Sequence, residues 1–219
     1  MSRQLKIVMS ILAVVLLLAS CGKQDEQAEA RVSSIMPADC SLMPGDVVFR
    51  QGLGFESEVV MLAQGGEGMY SHCGMVVDSA GVMMIVHAVP GEPDFEGDVN
   101  RVKLEHPARF FMRSRAGRGE VMRCADSTVA RLAAMQALNY YKRGMRFNDD
   151  YDDADTTRLY CTQLVVRAYT AAGARLRVGS PRHFAVPGVF DVTCILPVQL
   201  YRCGYFKSVS SFPVDSSQP

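Results

Sequence analysis

Tyr70-Ser71-His72-Cys73-Gly74-Met75-Val76-Val77-Asp78-Ser79-Ala80-Gly81-Val82-Met83-Met84-Ile85-Val86-His87-Ala88 is the stretch that decides the fold. Two apolar runs, 73–77 and 82–88, flank a short turn containing a glycine, which predicts a β-hairpin. With Ser79-Ala80 as the loop, Asp78 opposes Gly81 and His72 falls directly across from His87. A register shifted by two leaves the rings diagonal neighbours on one face, and a shift by one separates them. Side-by-side histidines suit a base and the group that orients it, because the second ring fixes the tautomer of the first. The alternative is that both end strands with their hydrogen bonds satisfied and carry no chemistry.

Upstream, Pro44-Gly45-Asp46 turns into a short strand at 47–49, followed by a helix over 57–63 and a glycine-rich turn at 65–68. Downstream, 99–104 alternates as a strand does, and 120–124 is a further strand candidate. Asp126 or Ser127 caps a helix reaching Lys142, with Gly144 as its stop. A second helix spans 161–173, where Leu164, Val165, Ala168, Tyr169 and Ala172 recur with helical period. Residues 198–201 read as a strand, and the chain from 207 onward is polar. There are no internal repeats, and the mixture predicts an α+β fold.

Cys161 opens the second helix. There the free backbone N–H groups and the dipole favour thiolate over thiol, and a nearby imidazole would complete an activated nucleophile. A cysteine on an apolar helix face is more often core. Cys73 is the rival thiol, but strand alternation turns it away from the face of His72, so it reads as core. The acidic run 149–155 lacks the glycine and the terminal glutamate of a calcium loop, and reads as solvated. No phosphate loop, nucleotide fingerprint or serine-nucleophile elbow is present. The seven cysteines form no CxxC pair, so no metal site is expected, and no cofactor. Cys194 with Cys203 is the expected disulfide.

The N-terminus carries Arg3 and Lys6, an unbroken apolar run over 7–18, then Leu18-Ala19-Ser20-Cys21. The run is short for a membrane span and fits a signal-peptide core, with small residues before a cysteine that would be cut and lipidated. This predicts a leader over 1–20, a lipidated Cys21 with a polar linker over 21–40, a domain over 41–206 and a polar tail over 207–219. The expected location is the cell envelope, on the periplasmic face of the outer membrane in a Gram-negative organism, held to the membrane by its acyl chains. Formal net charge is zero with scattered basic residues, which argues against a nucleic-acid partner.

In order, Pro44-Gly45-Asp46-Val47-Val48-Phe49, Tyr70-Ser71-His72-Cys73-Gly74-Met75-Val76, Val86-His87-Ala88 and Tyr160-Cys161-Thr162-Gln163-Leu164-Val165 resemble the circularly permuted NlpC-type, papain-like hydrolases of the YiiX-like group. Leu196-Pro197-Val198-Gln199-Leu200 resembles that group's closing segment. The resemblance implies an antiparallel sheet or small barrel packed against helices, with Cys161 as nucleophile, His72 as general base and His87 as orienter. Tyr160 and Gln163 sit in the cysteine motif and pack or line the site. A histidine at 87, where an acid is frequent, and Gln163 for a frequent glutamate are departures. The paired histidines are also similar to the lecithin–retinol acyltransferase branch. The implied activity is cleavage of an amide in cell-wall peptide or a related envelope substrate. The alternatives are a lipid or ester hydrolase or acyltransferase, and a non-catalytic envelope scaffold.

Overall fold

The computed structural model describes residues 32–186 and 190–213. The leader, Cys21 and most of the expected linker lie outside the described residues. The compact unit begins at Ser34, earlier than expected: the Ile35 N–H donates to the Phe111 carbonyl at 2.9 Å, and the Ile35 side chain is buried.

In chain order the elements are β1 (Val47–Gly52), α1 (Phe55–Ala63), β2 (His72–Ser79), β3 (Val82–Val89), β4 (Arg101–Glu105), α2 (Pro107–Phe110), β5 (Ala116–Cys124), α3 (Ser127–Lys142), β6 (Arg146–Phe147), β7 (Arg158–Leu159), α4 (Cys161–Ala171), β8 (Arg182–Val186), β9 (Phe190–Cys194), α5 (Pro197–Tyr201) and β10 (Phe206–Pro213). Eight strands form one sheet in the order β10-β5-β1-β2-β3-β4-β6-β7, antiparallel except for β6 with β7. The sheet is open, with β10 and β7 at its edges, rather than closed into a small barrel. β8 and β9 form a separate hairpin.

The central strands read as continuous apolar runs because both faces are covered. Val47, Phe49, Cys73, Met75, Val77, Val86 and Ala88 pack against α3 and α4. The alternate positions Val48, Val76, Ile85 and Val121 pack against Phe110, Phe111 and Phe212 on the other side. α3 approaches closely through buried Ala130, Ala133, Ala134 and Ala137, and Asp126 caps it by accepting the N–H groups of Thr128 and Val129. A side chain at Gly45 would lie 2.4 Å from the Ala130 carbonyl, so only glycine admits this helix.

Three expectations are corrected. Residues 207–213 are not a tail but most of β10, which pairs with β5; Phe206 and Phe212, buried near the two ends of that strand, anchor it. Residues 198–201 lie within α5, because Pro197 starts a helical turn whose entry Gln199 secures by accepting the Leu196 N–H. Cys194 and Cys203 are free thiols, as are all cysteines among the described residues. The acidic run is a self-satisfied turn in which Asp150 and Asp155 pair with Arg158.

Candidate active site

β2 and β3 meet through a turn at Ala80-Gly81, both with positive φ, and the Asp78 carboxylate accepts the Gly81 N–H at 2.7 Å. Ser79 therefore opposes Val82, a register shifted by two from the direct His72–His87 pairing. The side chain of Asp78 stabilises a left-handed alanine that sequence reading passes over. The histidines are diagonal neighbours on one face, and Gly74 makes the diagonal short. A Cβ there would sit 3.0 Å from the His87 Cβ and 2.8 Å from Ile85.

His72 Nε2 and His87 Nδ1 are 2.9 Å apart, and His87 Nε2 lies 3.1 Å from Glu105 Oε2 at the end of β4. These contacts order the protons. A carboxylate only accepts, so His87 carries its hydrogen on Nε2; its Nδ1 then accepts from His72 Nε2–H. The lone pair of His72 is left on Nδ1, the nitrogen free to face the Cys161 thiol, which interacts directly with His72. Cys161 stands at the first position of α4, half-buried where the helix meets the cavity.

Charge surrounds this chain in layers. Glu105 Oε1 lies 3.3 Å from the buried Lys103 ammonium and 3.2 Å from Arg115. Burial alone would raise the Glu105 pKa. The hydrogen bond and charge of His87, with Lys103 and Arg115, overcome it and hold the carboxyl well below the usual range. Arg50 pairs with Glu92, donates to the Phe110 carbonyl at 2.9 Å and lies 4.7 Å over the Phe110 ring, which also packs against both histidines. Burial, helped by Arg50, pushes His72 down to about 4, against the pull of Cys161. Hydrogen bonding from Cys73 and then from His72 outweighs burial and lowers the Cys161 thiol well below its ordinary value. The Cys73 thiol is pushed up by burial and by that same neighbour.

His72, His87 and Cys161 are thus brought together, and Tyr160 lines the adjoining cavity. Its hydroxyl donates to Asp153 at 2.7 Å and accepts the Ile195 N–H at 3.2 Å. Gln163 does not line the cavity: it accepts the Tyr160 N–H at 3.2 Å and donates to the Asp152 carbonyl, tying the helix start to the preceding loop. Three site residues escaped sequence reading: Glu105, Lys103 and Arg50. The alternating segment stops one residue short of Glu105, and the long connection before β4 hides the register that sets it beside His87.

The cavity above Cys161 and His72 encloses about 600 Å³. Its walls are mainly apolar, with Leu53, Val60, Val89, Phe184, Val192 and Ile195 among them. Tyr151 projects from a backbone with φ of 54° and lines the same space. Burial and the neighbouring Cys161 push its phenol upward, so it stays a protonated donor.

The arrangement sits on a backbone seen before. The metalloprotein YiiX from Escherichia coli O157:H7 superposes with a TM-score of 0.58 at 20% identity, covering 77% of this chain and 96% of that one. The fold is YiiX-like. No family model matches the sequence, and no curated protein matches it. Among the described residues no three His, Cys, Asp or Glu side chains are grouped so as to hold a metal ion. His72 and His87 spend their facing nitrogens on each other.

Proposed function

We propose that the protein is a thiol hydrolase or acyltransferase that cleaves an amide or ester through a Cys161 thioester. The observation that carries this reading is the continuous chain from the Cys161 thiol through His72 and His87 to Glu105. His72 Nδ1 takes the thiol proton, and the sulfur attacks the substrate carbonyl carbon. The oxyanion accepts hydrogen bonds from the Cys161 backbone N–H at the helix terminus, where the dipole also favours negative charge. As the tetrahedral species collapses, the leaving amine or alkoxide takes the proton from His72, and water or another acceptor then resolves the thioester. His87 and Glu105 hold the tautomer that keeps Nδ1 basic.

The base and its orienter precede the nucleophile in this chain, which supports the circularly permuted papain-like reading. The apolar walls favour an acyl chain over a hydrophilic cell-wall peptide, since a pocket of this size gains most by covering apolar surface. Export, lipidation at Cys21 and an envelope location supply a membrane-proximal acyl substrate. Among the described residues no helix is long and apolar enough to cross a membrane.

The test uses the full chain in detergent with p-nitrophenyl esters and acyl p-nitroanilides of increasing chain length. Cys161→Ala is expected to abolish turnover, and His72→Ala to reduce it by about 10²–10⁴. Rates should rise from acetyl to medium-chain acyl groups. Turnover that survives Cys161→Ala, or an iodoacetamide-resistant Cys161, would overturn the reading.

A further inference from the structure

The mechanism above leaves one nucleophilic group unused. Cys73 follows the base directly in β2, is fully buried, and faces α4 as the alternation of the strand requires. The first turn of α4 rests on this part of β2: Cys161 packs against the buried cluster that holds Cys73, and each thiol shifts the titration of the other. A third thiol, Cys194, lines the same cavity as Cys161. Of the two, Cys73 is the thiol that hydrogen-bonds to Cys161.

We propose that Cys73 is a resolving thiol, and that a hydroperoxide entering the cavity converts Cys161 and Cys73 into a reversible disulfide. The Cys161 thiolate attacks one peroxide oxygen, the O–O bond breaks, and Cys161 becomes a sulfenic acid while hydroxide or alkoxide leaves. The Cys73 sulfur then attacks the sulfenic sulfur: the S–S bond forms, the S–O bond breaks, and the departing hydroxyl combines with the Cys73 proton as water. The two thiols lose two electrons, and the peroxide gains them. An external dithiol returns both cysteines to the reduced state. Burial of Cys73 denies it other reactions and leaves Cys161 as its partner, so the pair protects the nucleophile from irreversible oxidation. This inference rests on Cys161 being the reactive thiol proposed above.

The full chain in detergent is treated with hydrogen peroxide, blocked with N-ethylmaleimide, digested and mapped by mass spectrometry. The expected product joins the Cys73 and Cys161 peptides, persists in Cys194→Ser, and is reversed by dithiothreitol with recovery of iodoacetamide labelling at Cys161. In Cys73→Ser, irreversible sulfinic acid at Cys161 should rise by about tenfold or more. Sulfinic acid at Cys161 of the unaltered protein with no cross-link, or a cross-link to Cys194 instead, overturns the proposal and leaves the nucleophile intact. A Cys161 that neither oxidises nor labels overturns both readings, and the labelling step separates the two failures.

Discussion

Replacing Glu105 by Gln removes the charge at the end of the proton chain while keeping its shape. The carboxylate sits 3.1 Å from His87, and His87 sits 2.9 Å from His72. Its charge therefore lies roughly 10 Å from the far nitrogen of His72, an interaction of about 1.7 kcal/mol at an effective dielectric of 20. Loss of that interaction weakens His72 as a base and slows acylation by about 15-fold, at roughly 1.4 kcal/mol per decade. The amide can also donate to His87 and impose the wrong tautomer, which would deepen the loss. Glu105→Gln leaves Lys103 and Arg115 without their shared partner, and breaking a buried pair costs about 3–5 kcal/mol. The double variant Glu105→Gln with Lys103→Met therefore accompanies it and restores charge balance. The assay is the second-order rate of Cys161 alkylation from pH 5 to 9, with folding followed by circular dichroism. A folded Glu105→Gln variant that alkylates within about threefold of the unaltered rate across this range would refute the role of the Glu105 charge, and the double variant, which also loses the opposing charge of Lys103, reads the tautomer alone.

Gly74→Ala should destabilise by about 1–3 kcal/mol and displace His87, since the new methyl meets Ile85 at 2.8 Å; thermal melting and the alkylation rate should fall together. Asp126→Ala removes a cap on α3, far from the chemistry, and should cost about 1 kcal/mol in chemical denaturation with alkylation unchanged. His72, at about 4 in the folded state against 6.5 unfolded, binds fewer protons when folded between those values. Stability is therefore full above pH 6.5 and falls as pH drops toward 4, by up to roughly 3 kcal/mol. Denaturation curves at pH 7 and pH 4.5 should show this loss in the unaltered protein and a smaller one in His72→Ala. Glu105 has the opposite kind of shift, a carboxyl held low, so its contribution is lost only in stronger acid.

The hairpin, both long helices and the approach of His72 to His87 were legible because each is written in local pattern: apolar runs about a turn, an Asp cap, and a glycine stop. What failed was set by side-chain geometry within the turn or by partners distant in sequence. The register of β2 on β3 moved by two because Asp78 holds a left-handed Ala80-Gly81 turn, and Ala80 carries no sign of that geometry. Residues 207–213 look polar because Lys207, Ser208, Ser210 and Ser211 dominate them, yet β10 completes the sheet beyond β5. Glu105 and Lys103 were invisible as site residues because a charged strand position reads as solvent-facing. Only the three-dimensional convergence of Arg115, Asp94 and Glu92 around them makes burial tolerable. Cys73 was read correctly as core, but the core at that point is the underside of Cys161.

The same geometry explains why a second imidazole stands between the base and its carboxylate. A carboxylate bonded directly to His72 would act over roughly 5 Å to the far nitrogen, about 3 kcal/mol at the same dielectric, against about 1.7 kcal/mol from its present place. The difference approaches one pKa unit on His72. With His87 interposed, the tautomer is still dictated from Glu105, but burial keeps the upper hand and His72 rests as a neutral base. A neutral His72 can take the Cys161 proton and, once charged in a buried setting, gives it up readily to the leaving group. Lys103 and Arg115 keep the Glu105 carboxylate ionised in its buried place. His87 and Glu105 fix where the proton sits, and how tightly it is held is a balance between burial with Arg50, which weakens the hold, and the distant Glu105 charge, which strengthens it.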